Sequence, residues 1–435
     1  MKTSRWAVLI CRFADDTSVM TPLLHYQRLF TGAGTGSLNV VDYFREMSHG
    51  QLDLSGSEVF GPFNITKKLS DYPGFIDDRS GLFAMCKQAA VDGGVLVDTF
   101  DGIVVSMSGN VSGQSGGGVD LWGGPIGTMN AFCDTLSLSP SPLGQEMGHG
   151  YGLDHARQEG SDTDYMDPWD VMTVYDSART APHAEWGTVG PGLNAQCMRS
   201  LGWLDEARVW KSSVDSFDTV IQLRPLHRHD LPGVLAAELP GGFLVEYRPQ
   251  ERWDAGFDHS AVFVHSFQDN HSYVMRGTNG QFDLSAGASF ARGKQGGLFS
   301  VFAGSTKMDV VAIDDGNKTA TIRLVHRQPF IEPSLVGSLV GPVIAGVAAG
   351  GGGLVFVGGK FRRVPPRGLA NTILEGVAAY VDAAEITEPN LRAQVQRATL
   401  GAITRSIDTF VAQAGSVSTP APMTAIRINP PNNRQ

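Results

Sequence analysis

The sequence predicts an α+β fold in which a mixed amino-terminal part is followed by an all-β sandwich and a small, glycine-rich and helical carboxyl-terminal region. Strand-like and helical segments are mixed over residues 1–210, which is typical of α+β or α/β architecture. Over 211–330, short runs alternate at period two between turn residues, the pattern of a sandwich or barrel. Residues 331–413 form a third region, and the Pro-, Ser- and Asn-rich residues 414–435 are expected to be a disordered tail. A chain of 435 residues is long enough for two to three domains.

Each element of the first region follows from its local pattern. Residues 7–13 are mainly apolar and predict a buried strand. The other elements predicted there are helices at 40–48, 80–91, 143–153 and 193–204 and strands at 51–60 and 102–107. Residues 109–127 contain eight glycines and a single charged residue, Asp120, so they predict a loop with one edge strand near 119–122.

The later regions differ from the first in their sequence patterns. The strands predicted for the sandwich are 219–223, 242–247, 261–267, 299–302, 310–313 and 319–325. The uncharged stretch 336–359 is long enough for a membrane span, but its nine glycines and Pro342 make it a poor apolar helix, so a span is disfavoured. Helical patterns resume over 373–410 and are interrupted near Pro389.

Charge and cysteine content narrow the class of protein. The net charge of −10 argues against nucleic acid or an anionic membrane as the main partner, because both require a positive surface. The four cysteines show no CxxC spacing, so buried thiols are the simplest interpretation, with one or two disulfides as the alternative. The apolar run 6–11 is too short for the core of a signal peptide. The compartment therefore stays open: the chain is intracellular, lacks its leader here, or is exported by another route.

The segment with the most chemical information is QEMGHGYGLDH, residues 145–155. On a helix, Gln145 and His149 lie one turn apart on the same face, and Glu146 lies beside them. Gly152 allows the helix to stop and the chain to reverse, because glycine accepts left-handed backbone angles. His155 is then able to return toward His149, which gathers three donors and a carboxylate around one point.

These residues resemble the metzincin zinc peptidases, whose signature HExxHxxGxxH is matched at every fixed position except the first, where Gln145 replaces His. Met172 in the sequence DPWDVM resembles the methionine turn that lies under the metal in that family. Within the metzincins, the chain is most similar to gametolysin-like peptidases, some of which have QExxH. Further likeness is carried by YFREMSHG at 43–50, GPGLN at 190–194, LGWL at 201–204 and, more weakly, VEYR at 245–248.

The resemblance implies a catalytic domain with a twisted mixed sheet and a long active-site helix, and it implies hydrolysis of protein or peptide substrates. Gln145, His149 and His155 would hold Zn²⁺, or Cu²⁺ given the amide donor, and Glu146 would act as general base. Met172 and Gly152 would have structural roles. Since every candidate ligand lies within 1–210, a chain that ends near Ser212 is expected to bind a metal if it folds. In several metzincins a tyrosine two residues after the methionine assists the metal, whereas here Tyr175 stands three residues after it.

Two alternatives stay open. If Gln145 does not bind, only two protein ligands remain, and the cleft would be a pseudo-peptidase that binds peptides or matrix protein without cutting them. A cluster of acidic residues before Met172 has the chemistry for Ca²⁺, but its spacing is not that of an EF-hand, so a solvated acidic loop is favoured. Its members are Glu159, Asp162, Asp164, Asp167 and Asp170. The sequence does not indicate an oligomeric state.

Overall fold

A computed structural model describes residues 2–71, 79–107, 122–173, 178–293 and 305–327, together with the backbone of two strands at 353–357 and 360–364. The chain divides into two compact units, Met1–Gly293 with Ser305–Gln328 and Lys294–Gly304 with Pro329–Gln435. In the second unit the described part is an antiparallel pair of strands, Gly353–Val357 and Lys360–Val364.

The secondary structure is given in chain order. The helices are α1 (Leu23–Phe30), α2 (Val40–Met47), α3 (Arg79–Asp92), α4 (Pro140–Tyr151) and α5 (Ala195–Ser200). The first nine strands are β1 (Lys2–Thr3), β2 (Trp6–Arg12), β3 (Leu52–Asp53), β4 (Glu58–Asn64), β5 (Gly102–Met107), β6 (Asn130–Cys133), β7 (Arg157–Gln158), β8 (Ala181–His183) and β9 (Gly187–Val189). The later strands are β10 (Val209–Trp210), β11 (Phe217–Leu223), β12 (Ala236–Leu239), β13 (Phe243–Arg248), β14 (Ala261–Gln268), β15 (His271–Val274), β16 (Ser289–Arg292), β17 (Ser305–Asp314), β18 (Thr319–Arg327), β19 (Gly353–Val357) and β20 (Lys360–Val364).

The first layer is a parallel sheet in the order β4-β2-β5-β6. Its central strand β2 is buried on both faces, because alternate side chains of a strand point to opposite sides of the sheet. Trp6, Val8 and Ile10 pack into the core that also holds α1, α2 and α4. The intervening Leu9 packs on the other face, in the core that includes α3. The sheet thus lies between α3 on one side and the helix of the candidate site on the other.

The second layer is a six-stranded sheet in the order β10-β12-β13-β14-β15-β7. Its centre is antiparallel, and β7, which directly follows the candidate site, adds in parallel to the edge of β15. One face of β14 carries Val262 and Val264, which pack in a core shared with the four-stranded sheet β11-β18-β17-β16. The other face carries Phe263 and His265, which are also fully buried. The six-stranded sheet is therefore covered on both faces.

The helices and several sheets of the described part confirm the α+β class in outline, while the metzincin-type architecture stays a prediction. The division at residue 210 also stays a prediction; it falls inside the first compact unit, where β10 pairs with β12. The strand predicted over 51–60 is wrong in detail, because a turn at Ser55 and Gly56 separates β3 from β4. The helix predicted over 193–204 is shorter because Asn194 caps its start and Gly202, with a φ of +69°, follows its end.

Other sequence-based expectations have mixed outcomes. All four cysteines are buried and none forms a disulfide. Among the helices that the structure describes, none is long and apolar enough to cross a membrane. The predicted strand 299–302, most of the edge strand 119–122, most of the uncharged stretch 336–359, the helices over 373–410 and the tail 414–435 lie outside the described residues.

Candidate metal centre

Helix α4 forms the base of the candidate site and is almost wholly buried. Its first turn contains Pro140 and Pro142, whose missing N–H groups cost nothing there because these amides have no partner within the helix. Gly148 has a packing role: a Cβ at this position would lie 2.8 Å from Sδ of Met172. The methionine turn therefore packs closely against the helix, one residue before His149.

His149 is held in one tautomer. Its Nδ1 lies 2.8 Å from the carbonyl oxygen of Leu153, which can only accept, so Nδ1 donates and Nε2 keeps its lone pair. The side chain is buried, and burial, followed by the charge of His155, lowers the pKa of His149 to about 4. A neutral imidazole with an available Nε2 is the form that binds metals.

His155 reaches the site because the chain reverses at Gly152. That residue ends α4 with a φ of +112°, in the left-handed region that the sequence predicts for it. The rings of His149 and His155 then lie 4.7 Å apart between centroids, with an interplanar angle of 83°. The two imidazoles predicted as ligands are therefore neighbours.

The tautomer of His155 is set by Asp164. Nδ1 of His155 lies 3.1 Å from Oδ2 of Asp164, and Nε of Arg157 donates to Oδ1 of the same carboxylate at 2.8 Å. Although burial opposes it, these contacts lower the pKa of Asp164 and keep it an acceptor. The Nε2 atom of His155 is then the acceptor, and it lies 2.8 Å from the hydroxyl of Tyr165.

Gln145 and Glu146 complete the group. Nε2 of Gln145 donates to Oε1 of Glu146 at 3.3 Å, while Oε1 of Gln145 is buried with no hydrogen-bond partner among the described residues. Burial raises the pKa of Glu146 to about 7, against opposing effects of Gln145 and Arg79. The carboxylate is thus poised to exchange a proton near neutrality.

This donor set fits a metal ion. The rings of His149 and His155 are neighbours, each is fixed through its Nδ1, as is usual for metal-binding histidines, and Gln145 on the same helix as His149 has an unpartnered amide oxygen. No cluster of three or more His, Cys, Asp or Glu side chains in the described ranges is arranged as a metal site. The candidate centre has only two such ligands, and Gln145 would have to supply the third donor.

The methionine turn is built by two buried carboxylates. Oδ1 of Asp170 accepts the N–H of Met172 at 2.8 Å, and Oδ1 of Asp167 accepts the N–H of Trp169 at 3.1 Å. Both carboxylates are completely buried. The expectation of a solvated acidic loop is therefore wrong for these two residues: Asp167 pairs with His265 of a distant strand, and Asp170 accepts two backbone N–H groups. The Ca²⁺ alternative stays a prediction.

The edge of the parallel sheet passes beside His149. Trp122 forms an antiparallel bridge with Phe132 of β6, with backbone N···O distances of 3.1 and 2.6 Å. At the next residue, Gly123, an added Cβ would lie 2.6 Å from Cβ of His149. The backbone at 122–123 therefore runs directly along the candidate centre, whereas residues 119–121 of the predicted edge strand lie outside the described ranges.

Two residues of the site were not singled out as ligand partners by the sequence. Asp164 orients the ring of His155, and the hydroxyl of Tyr165 is hydrogen-bonded to Nε2 of His155. The backbone of Tyr165 has an unusual φ of +64°. The only sequence signal was the acidic cluster that contains Asp164. The tyrosine considered from the sequence, Tyr175, lies outside the described residues.

Comparisons with protein-family models, with curated proteins and with solved structures give no match. A functional assignment therefore depends on the contacts that the residues of the site make.

Proposed function

We propose that the chain is a metal-dependent endopeptidase in which His149, His155 and Gln145 hold Zn²⁺ and Glu146 is the general base. The observation that carries the proposal is the pair of neighbouring imidazoles, each tied through Nδ1 to an acceptor so that Nε2 is the nitrogen with the lone pair. In His155 that nitrogen accepts a hydrogen bond from Tyr165, which a metal would have to displace. Cu²⁺ is the alternative ion, because an amide oxygen is a weak ligand and Cu²⁺ is bound most tightly by a given donor set.

When bound, the metal supplies Lewis-acid activation of water and of the substrate carbonyl. Glu146 accepts the proton of the attacking water and later delivers it to the leaving amine. Its burial places it in surroundings where it takes up and releases a proton near neutral pH. Asp164 keeps the ring of His155 in one orientation, and Met172 packs beneath α4 without taking part in the chemistry.

The substrate would be a protein or peptide in an extended conformation. The backbone at Trp122 and Gly123 already runs antiparallel to β6 and passes beside His149. A peptide that adds to this edge would form backbone hydrogen bonds and bring a peptide bond over the centre.

The finer assignment, a metzincin of the gametolysin-like kind, is also part of the proposal. It is supported by the combination of a parallel sheet, the helix α4 that ends at a left-handed glycine, and a methionine packed against that helix. The gametolysin-like branch accounts for glutamine at the first ligand position, as the resemblance implies.

A second candidate function is a pseudo-peptidase that binds peptides without cutting them. Two contacts favour it: the hydroxyl of Tyr165 occupies Nε2 of His155, and the amide of Gln145 is hydrogen-bonded to the general base. The first contact must break before His155 can bind a metal, whereas the second engages Nε2 of Gln145 and leaves its Oε1 unpartnered.

The two functions are separated by metal content and turnover. The full chain is equilibrated with Zn²⁺ or Cu²⁺ and desalted, and then bound metal and cleavage of a denatured protein are measured for wild type and Glu146→Ala. About one metal per chain and cleavage by wild type alone would support the peptidase. Metal-free chains, or equal cleavage by both proteins, would contradict it.

A further inference from the structure

Behind the methionine turn lies a cluster of six ionisable side chains, each with at most 3% of its surface exposed. The cluster is drawn from both the active-site part and the β-rich part of the chain. Its members are Asp167, Asp170, Glu246, Arg248, Asp254 and His265. Buried charges are tolerated only where partners neutralise them, so each member depends on the others.

Asp170 ties the methionine turn to the segment that leads into α5. Its Oδ1 accepts the N–H of Met172 at 2.8 Å and its Oδ2 accepts the N–H of Asn194 at 2.6 Å. The carbonyl of Met172 in turn accepts the N–H of Ala156, the residue after His155, at 3.2 Å. The position of the turn is therefore linked directly to the backbone beside a candidate ligand.

Arg248, on β13, holds the same turn from the other side. Its Nη1 donates to the carbonyl of Trp169 at 2.7 Å and its Nη2 donates to the carbonyl of Gly192 at 3.0 Å. Asp254 accepts from Nε and Nη2 of Arg248 and also from the backbone N–H of Gly192. One guanidinium thus binds two loops of the active-site part together.

His265, on β14, supplies the second positive charge. Its Nε2 donates to Oδ2 of Asp167 at 3.0 Å, and its Nδ1 lies 3.6 Å from Oε2 of Glu246. Despite burial, these two carboxylates raise the pKa of His265 to about 10, so the imidazole is a cation at neutral pH. Glu246 also accepts the N–H of Ala195 at 2.6 Å, at the start of α5.

We propose that Arg248 and His265 are positioning residues for the metal centre, which make the β-rich part a component of the active site rather than an appended module. They act through Asp167 and the backbone of the methionine turn at Trp169. In the described part of the chain, none of their hydrogen bonds or ion pairs goes to a candidate ligand. The statement about the metal rests on the proposed function; the statement about the turn does not.

The same strand offers a matched control. Val264 precedes His265 in β14 but points to the opposite face, into the core shared with the four-stranded sheet. Val264→Ala should destabilise the fold without touching the charged cluster. His265→Gln keeps an amide donor near Asp167 but removes the positive charge.

The experiment uses the full chain and two measurements at a temperature where both variants are folded. Amide hydrogen exchange reports on 166–173 and 153–158, and calorimetric titration reports Zn²⁺ affinity. We expect His265→Gln to lose protection in both segments and to bind Zn²⁺ more weakly, by about tenfold or less, because the loss of a group bonded directly to a ligand costs roughly 10- to 100-fold and His265 is one step further away. Val264→Ala should leave both measurements near wild type.

The outcomes are separable. Equal exchange and equal affinity in the two variants would overturn the positioning role. A second outcome is that His265→Gln loses protection, Val264→Ala does not, and the wild-type protein binds no Zn²⁺. That outcome would support the positioning of the turn and contradict the metallopeptidase. If His265→Gln does not fold, the double variant Asp167→Asn, His265→Gln removes both members of the pair; recovery of folding and of turn protection supports the charge pairing, and failure to recover contradicts it.

Discussion

The hydroxyl oxygen of Tyr165 lies 2.8 Å from Nε2 of His155, on the atom that a metal would use. The two rings are also in contact, with centroids 4.1 Å apart. Metal binding at His155 therefore competes with a hydrogen bond that the protein makes to itself.

Tyr165→Phe tests that competition. Removing the hydroxyl frees Nε2, and since a hydrogen bond of this kind contributes about 1 kcal/mol, Zn²⁺ affinity should rise roughly three- to tenfold. Titration of wild type and variant under the same buffer gives the ratio. A clear fall in affinity would mean instead that the phenol oxygen is itself a ligand.

Gln145→His should complete a three-imidazole site. The new ring would lie one turn before His149 on a helix whose backbone is already fixed, and the side-chain volumes are similar, so folding should be nearly unchanged. A third good ligand should increase Zn²⁺ affinity by about one to two orders of magnitude and reduce any preference for Cu²⁺. Unchanged affinity for both ions would show that residue 145 does not face the metal.

Glu146→Ala separates catalysis from binding. Because Glu146 is not a candidate ligand, the variant should bind the metal nearly as well as wild type, while kcat should fall by about 10²- to 10⁴-fold. Metal content is measured beside turnover on the same samples. Comparable turnover in the two proteins would exclude Glu146 as the base.

Residues 1–212 alone should not reach the native fold. The truncation removes His265, which leaves Asp167 buried without its ion-pair partner, and it removes Arg248, the donor to the carbonyls of Trp169 and Gly192; the cost is several kcal/mol. Circular dichroism and thermal unfolding would show an unfolded or loosely packed chain, and Zn²⁺ would bind weakly. A truncated chain that unfolds cooperatively and binds Zn²⁺ as tightly as the full chain would contradict this expectation.

Stability should fall with rising pH above neutrality because of His265. Its folded-state pKa is raised from 6.5 to about 10 by Glu246 and Asp167, so its contribution is complete below pH 6.5 and is lost as pH rises toward 10. Denaturant unfolding at pH 6, 8 and 10 should show a decrease for wild type that is much smaller in His265→Gln. Parallel curves for the two proteins would show that the imidazole is not charged in the native state. Comparing wild type with His265→Gln removes the pH dependence that both proteins share. His149 is one such shared group, and its lowered pKa reduces the free energy of unfolding only as the pH falls below 6.5.

Local patterns were sufficient where the determinant lies within a few residues. The strand at 102–107 was predicted with its observed bounds, and the left-handed Gly152 followed from the glycine that ends an apolar helix. The grouping of Gln145 with His149 needed only helical spacing. Each of these features is set by neighbours in the chain, which a single sequence contains.

Features that depend on distant partners were not predictable. Asp167 and Asp170 are indistinguishable from surface acids by local composition, because their partners are far along the chain: His265 stands 98 residues after Asp167, and Asp170 accepts the N–H of Asn194. The expectation that the region 1–210 binds a metal if it folds takes no account of these distant partners and stays a prediction. The likeness at 245–248 was the only hint that Glu246 and Arg248 matter.

Strand β7 has a second effect beyond holding the segment after His155. Its pairing with Tyr273 and Val274 covers a sheet edge whose backbone groups are otherwise available to another chain. A variant that detaches this two-residue strand would expose the unpaired backbone edge of β15. Substitutions near His155 that do so should therefore cause self-association as well as loss of function. Preparations of such variants would then form oligomers through β15 while the rest of the first unit stays folded.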